Sequence, residues 1–215
     1  MAALVPPSTS SMTASQERRV WPTCAGHETL GGNVASSLFD AETWRLRCAS
    51  LADVDGLHAL GSKPLVYRYL FDGSAPSREY IAKRIAATIP VESANGSGAW
   101  LLGNSVVSYA GCVQLLPDLS QRITELTYLL DPDYWGQGLA VRMGWTAITQ
   151  AFLSPRIDAV VAGADAPNKA SFAVMRRLGM RFRRNVQYPV GPGIEYVLHR
   201  DDVGPSPRPA ALPIL

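Results

Sequence analysis

Cysteine and histidine are scarce in this chain, with three of each in 215 residues. Cys24, Cys48 and Cys112 lie far apart, and His27, His58 and His199 are equally scattered. No C-x-x-C pair or ligand spacing joins them, so neither a zinc site nor a disulfide framework is expected, and no metal. Charge is sparse as well: 18% of residues are charged and the net charge is +2. A dedicated nucleic-acid binder shows a clear basic excess, so no nucleic-acid partner is expected. Long apolar runs are missing, which leaves nothing of the ~20 residues that a membrane span needs. The start, Met1 to Pro7, lacks the basic and apolar regions of a signal peptide, and the stretch after Arg18-Arg19 is too short for a twin-arginine signal. A cytoplasmic protein with no membrane partner is the expectation.

What is present is an ordinary globular balance, 47% apolar, in a chain long enough for one domain with a real core. Residues 1–40 are rich in Ser, Thr, Gly, Ala and Pro without a sustained period, and read as a flexible extension. Residues 41–201 read as the folded domain. Residues 202–215, with four prolines from Gly204 onward, read as a loose or irregularly packed tail.

Within the domain, Trp44, Leu46 and Cys48 alternate with arginines, as in a half-buried strand. Ser50 caps a helix with Asp53 and Asp55 in its first turn, whose apolar side is Leu57, Leu60 and Leu65. Ser77 caps a second helix over 78–88. Strands follow at 99–102, 106–115 and 123–130, with turns at Gly103-Asn104 and Pro117-Asp118. A helix over 139–152 and a short buried strand over 158–163 come next. Asn168 reads as the N-cap of a last helix and Gly179 as its C-terminal stop. Strands over 180–190 and 194–199 flank Gly191-Pro192-Gly193. This order implies an α/β protein, a mixed sheet with helices on both faces.

The most informative stretch is Asp131-Pro132-Asp133-Tyr134-Trp135-Gly136-Gln137-Gly138-Leu139-Ala140. A strand runs into it and a helix runs out. Free N–H groups at a helix start, together with the helix dipole, make an anion site. Gly136 and Gly138 allow a close backbone approach to a phosphate, because neither carries a Cβ.

Three segments resemble the GNAT superfamily of acyl-CoA-dependent N-acyltransferases, and within it the branch of the ribosomal-protein N-terminal acetyltransferases RimJ and RimL. Glu125 to Pro132 is similar to the family's central strand, and Tyr134 to Ala140 to its pyrophosphate loop. Asn168-Lys169-Ala170-Ser171 with Leu178-Gly179-Met180 is similar to its N-x-x-S and L-G-F elements. The resemblance extends from about Thr43 to Asp201. It implies a mostly antiparallel sheet of about six to seven strands with a splayed parallel central pair. It implies acetyl-CoA, or another short acyl-CoA, as donor and no metal. Leu129 and Leu130 would pair with the pantetheine amides. Trp135, Gly136, Gln137, Gly138, Leu139 and Ala140 would hold the pyrophosphate, and the Asn168 amide would bond the pantetheine arm. Monomer and homodimer are both open.

Transfer to an amine requires a base for the amine proton and a donor for the leaving thiolate. Glu125 is the candidate base, direct or through water; the alternative is a strand carboxylate facing solvent or paired with an arginine. Ser171, one turn after Asn168, is the candidate thiol-side donor; the alternative is a serine that bonds its own backbone. Many members of the superfamily carry a tyrosine where this chain has Met175. Arg176, Arg177, Arg181, Arg183 and Arg184 form a basic cluster that suits the CoA 3′-phosphate, an acidic substrate or a solvated surface. The acceptor would be a primary amine of a protein N-terminus or a small molecule, bounded by residues 67–77 and 188–194. The competing functions are an acyl-CoA-binding module without catalysis, which would not need Glu125, and a dinucleotide-binding oxidoreductase. The second lacks an N-terminal G-x-G-x-x-G.

Overall fold

The computed structural model describes residues 43–88, 96–204 and 209–215. The reading of residues 1–40 as a flexible extension falls outside the described residues. In chain order the strands are β1 (Arg45–Cys48), β2 (Gly98–Gly103), β3 (Gly111–Asp118), β4 (Ile123–Leu130), β5 (Ala159–Asp165), β6 (Arg181–Tyr188) and β7 (Gly191–His199). The helices are α1 (Val54–Gly61), α2 (Pro64–Tyr67), α3 (Arg78–Ala86), α4 (Leu139–Ala151) and α5 (Lys169–Arg177). The strands form one mixed sheet in the order β1-β2-β3-β4-β5-β7-β6. Its one parallel pairing is β4 with β5; its other pairings are antiparallel.

Strand side chains alternate between faces, and the core divides accordingly. Trp100, Leu102, Val113, Leu115, Leu126 and Leu130 pack on one face with α4 and α5 through Met143, Ile148, Phe172 and Met175. Leu101 and Cys112 face the other way, against Leu57 of α1 and Ile81 and Ile85 of α3. This is the expected α/β architecture, with seven strands and helices on both faces. Burial pushes the free Cys112 thiol up to about 12, so it behaves as a small apolar group.

Several boundaries differ from the sequence reading, each for a local reason. The helix after Ser50 is interrupted at Ser62-Lys63, and Pro64 starts a separate short helix at its first position. Leu65 is therefore no core residue but is 53% exposed. β3 begins at Gly111 because the Asn104 side chain accepts from the N–H groups of Val106 and Val107 (2.9 and 2.8 Å), forming a turn. β3 continues through Pro117 to Asp118, whose carboxylate accepts from Ser120 and Gln121 and makes the next turn. β7 starts at Gly191, paired with Tyr188, so the connection is Pro189-Val190 and not Gly191-Pro192-Gly193.

The end of the tail packs on the domain. The Leu46 N–H donates to Pro213 (2.8 Å) and the Leu215 N–H to the Leu46 carbonyl (2.9 Å), which occupies the free edge of β1. Leu212 is buried, and its N–H donates to the Thr146 hydroxyl of α4 at 2.8 Å.

The start of the domain is knotted together by Asp53. Its carboxylate accepts from the Arg47 guanidinium (2.6 and 3.0 Å), the Ser50 N–H (2.8 Å) and hydroxyl (3.0 Å), and the Tyr109 hydroxyl (3.0 Å). Burial alone would raise its pKa, yet these donors hold it at about 2. A folded pKa below the ordinary 3.8 means that Asp53 stabilises the fold above that value, and the contribution is lost as pH falls through about 2. Asp53→Asn should cost roughly 1–3 kcal/mol at neutral pH and flatten the stability profile in this acid window. Denaturant melts from pH 7 down to 2 measure both; a variant with unchanged stability and profile would remove Asp53 as the organiser.

Candidate active site

β4 and β5 run together for three rungs, Ile123–Ala159, Thr124–Val160 and Glu125–Val161, and then part. A cavity of about 670 Å³ opens in the fork. It is lined by residues from both faces of the sheet, because alternate residues of β4 point opposite ways. Glu125 and Thr127 reach it from the α1–α3 side, and Tyr128 from the α5 side.

The rim at the C-terminal end of β4 is tied down before it turns. The Asp131 N–H donates to Ala110 (2.8 Å), and its carboxylate receives the Lys63 ammonium (2.5 Å) and the Asp133 N–H (3.3 Å). The Trp135 indole N–H returns to the Leu130 carbonyl (2.8 Å). Gly136 and Gly138 then take left-handed φ values of 78° and 74°, which any side chain resists. A Cβ on either would meet no protein atom within 4 Å, so φ makes them glycine and the space above the loop is open. The N–H groups of Val141 and Arg142 both donate to the Gly138 carbonyl at 3.1 Å. Among the described residues, the five preceding N–H groups, from Gly136 to Ala140, have no protein acceptor. Five consecutive free donors at the start of a thirteen-residue helix form an anion cradle.

The other candidates fall around the same cavity, with Gln137 as an exception among the lining residues. Gln137 is exposed and contributes its backbone to the loop. Leu130 turns its carbonyl away from β3, as the trans peptide to Asp131 requires. The Leu129 carbonyl lies instead on the β3 side, against Gly111. Asn168 caps α5 by accepting the Ser171 N–H (3.1 Å), which leaves its amide NH₂ as a donor. The Ser171 carbonyl accepts from the Tyr128 hydroxyl (3.2 Å), while the Ser171 hydroxyl has no hydrogen-bond partner among the described residues. Burial pushes Tyr128 up to about 12, so it stays a neutral donor. Glu125 is exposed to the cavity and forms no ion pair among the described residues. Glu125 and Ser171 thus share one cavity while approaching it from opposite faces. Met175 is fully buried in the core. Of the basic cluster, Arg183 and Arg184 are held by Glu195 (2.6 and 3.0 Å) and Arg181 lies 3.7 Å from Asp202, whereas Arg177 lines the cavity. No group of three or more potential metal ligands gathers among the described residues, and no helix there is long and apolar enough to cross a membrane.

Tyr188 is the residue that sequence reading gave no separate role. It lies flat over two glycines: a Cβ on Gly163 would collide with its hydroxyl, and one on Gly193 with its ring. The hydroxyl accordingly sits on the Glu125 side of the fork with no hydrogen-bond partner among the described residues. Burial raises the Tyr188 pKa, and the charges of Glu125, Glu195 and Asp165 raise it further. The available signal was Gly163 inside a strand, which marks a close approach. Phe71 also lines the cavity, at φ 54°, an uncommon backbone for a large side chain, held by edge contact with Tyr80 at 5.6 Å.

This fork, cradle and capped helix sit in an acetyltransferase fold. The family model for the acetyltransferase (GNAT) domain matches residues 44–181, and the chain belongs to that family. Among solved structures it is similar to RimL, a ribosomal L7/L12 alpha-N-protein acetyltransferase in complex with coenzyme A, at 21% identity and a TM-score of 0.63. That match covers 75% of this chain and 96% of the other. It is also similar to a spermidine N-acetyltransferase from Vibrio cholerae in complex with CoA and spermine, at 14% identity, TM-score 0.63, and 74% and 97% coverage. A third match is an aminoglycoside acetyltransferase in complex with ribostamycin and coenzyme A, at 14% identity, TM-score 0.63, and 79% and 100% coverage. At these identities the matches show the fold.

Gly138→Val should weaken acetyl-CoA binding, since a β-branched residue resists the left-handed backbone by about 1–2 kcal/mol and projects into the open space over the loop. Glu125→Gln should bind acetyl-CoA as the parent does. Titration calorimetry on both variants is the check, and equal affinities would mean that the loop is not the phosphate site.

Proposed function

We propose that this protein transfers a short acyl group, acetyl in the first instance, from acyl-CoA to a primary amine by direct attack. The observation that carries the reading is the row of unpartnered N–H groups from Gly136 to Ala140 beside a parted strand pair. These donors fit a pyrophosphate, and the Leu130 edge and the Asn168 amide fit the amide-bearing arm that would follow it through the fork. Arg177 and Lys169, both exposed on the cavity lining, suit its outer phosphate. The neighbouring structures hold coenzyme A, and the acceptors in their names are amines, which supports an amine acceptor.

Bound there, acyl-CoA supplies a thioester whose carbonyl carbon is open to attack. The residues of the chain do the rest. Glu125, without an ion-pair partner and facing the cavity, takes the proton of the incoming amine, directly or through water. Its place at the last paired rung puts it where the strands separate. Ser171 offers a free hydroxyl from the opposite side of the fork and donates to the leaving thiolate. Tyr128 holds the α5 start through the Ser171 carbonyl and so fixes that hydroxyl in place. Met175 carries no acidic proton and serves packing alone. The proton leaves the amine for Glu125, the nitrogen–carbon bond forms, and the carbon–sulfur bond breaks.

Glu125→Gln should lower turnover by about 10²–10⁴-fold, with a smaller loss at high pH where the amine is already neutral. Ser171→Ala should cost less, because water can protonate the thiolate. Thiol release from acetyl-CoA with a panel of amines and short peptides reads both. Unchanged turnover in Glu125→Gln would overturn the base assignment. Acetyl-CoA binding with no transfer to any amine would favour a binding module. In a thermal scan, acetyl-CoA at a hundredfold excess over its dissociation constant should add about 2.7 kcal/mol. A shift with NAD and none with acyl-CoA would sink the assignment.

A further inference from the structure

The cavity is unevenly furnished. Four of its lining residues carry charge: Glu125, Asp165, Lys169 and Arg177. Lys169 and Arg177 belong to α5 and suit the outer phosphate of the donor, which leaves Glu125 and Asp165 as the charges on the Glu125 side of the fork. Glu195, on the same face of the sheet as Glu125, is held by Arg183 and Arg184 and is not available to a ligand. Around α2 the wall is Leu65, Val66, Tyr69, Leu70 and Phe71, apolar apart from the Tyr69 hydroxyl. Three of the large exposed apolar side chains among the described residues stand at its margins: Leu65 at 53% exposure on α2, Val190 at 51% on the β6–β7 connection, and Trp135 at 48% on the glycine loop. Exposed apolar groups converging on one opening mark a surface that is covered by something apolar in use. The polar groups on the Glu125 side of the fork are Glu125, Thr127, Asp165 and the Tyr188 hydroxyl, which Gly163 and Gly193 admit there.

The geometry points to an acceptor with a single amine next to an apolar group: Glu125 and the Tyr188 hydroxyl receive the amine, and the Leu65–Phe71 wall with Val190 receives the apolar group. This rests on the acyltransfer reading and narrows its substrate class. A polycationic amine would set its further ammonium groups against the apolar wall or leave that wall in water. Specificity then follows from the mismatch as much as from the match. A hydrophobic amino-terminal residue of a peptide and an arylalkylamine have the same chemistry here, and the assay separates them.

The test uses the full chain with acetyl-CoA and thiol release. The acceptors are 2-phenylethylamine, a short peptide beginning with phenylalanine, the same peptide beginning with glycine, and spermine. The expected result is a kcat/KM at least tenfold higher for phenylethylamine or the phenylalanine peptide than for spermine and the glycine peptide. Leu65→Glu, at an exposed position, should lower that ratio at least tenfold through KM, and Val190→Glu should act in the same direction. Faster turnover of spermine, or a ratio that neither variant changes, would overturn the substrate class while leaving acyl transfer intact. No turnover of any acceptor with acetyl-CoA still bound by calorimetry would overturn it too. No binding of acetyl-CoA at all would instead remove the acyltransfer reading and this proposal with it.

Discussion

The separation of β4 from β5 after three rungs governs the rest of the molecule. A parallel pair that continued would satisfy its own backbone and leave no opening through the sheet. Once the pair divides at Glu125 and Val161, backbone groups beyond that rung have no strand partner on the inner side. Buried polar backbone without a partner is costly, so the fork is stable when water or an amide-bearing ligand fills it. The same separation lets chemistry from the two faces of a sheet meet at one point, with a carboxylate on one side and a hydroxyl on the other. Among the described residues, seven strands and five helices amount to a frame that keeps two strands apart at a fixed place.

The contacts around the fork hold its rims. Lys63, at the break between α1 and α2, reaches across to Asp131 at the end of β4. The Trp135 indole closes back on Leu130, so the glycine loop leaves the strand along a defined path. On the far rim Tyr128 pins the first turn of α5 through a backbone carbonyl, which leaves the serine side chain there unencumbered. Each contact links a rim of the cavity to an element that supports it, the arrangement that preorganisation requires.

Much of this was legible because the relevant signals are local. β4 has the bounds that its apolar run predicts, and Gly136, Gly138, Ser77 and Asn168 act through backbone geometry that depends on few neighbours. Asn168 and Ser171 could be placed on one helix face for the same reason. What escaped depends on elements far apart in sequence. Tyr188 meets the fork because β7 inserts between β5 and β6, and no periodicity announces that order. Leu65 reads as core from its spacing, yet Pro64 restarts the helix and turns it to the cavity. The strand limits near Asn104 and Pro189 were set by side-chain turns and a glycine-backed tyrosine, which compete with apolar patterning and prevail. The proline-rich composition of the tail gave no hint that Leu212 and Ile214 would find an open edge and a groove beside α4.

That tail also ties the molecule to the order of its own synthesis. The outer edge of β1 is closed by residues 213–215, which are added only after every strand of the sheet has been made. At ribosomal rates of about 5–20 residues per second, the edge stands open for roughly 6–22 s between the completion of β2, which pairs with β1, and the addition of Pro213. For that interval the nascent domain presents an unpaired strand to any neighbouring chain. The closing segment therefore acts as a late seal, and polypeptides crowded on one messenger are the setting in which its timing matters most.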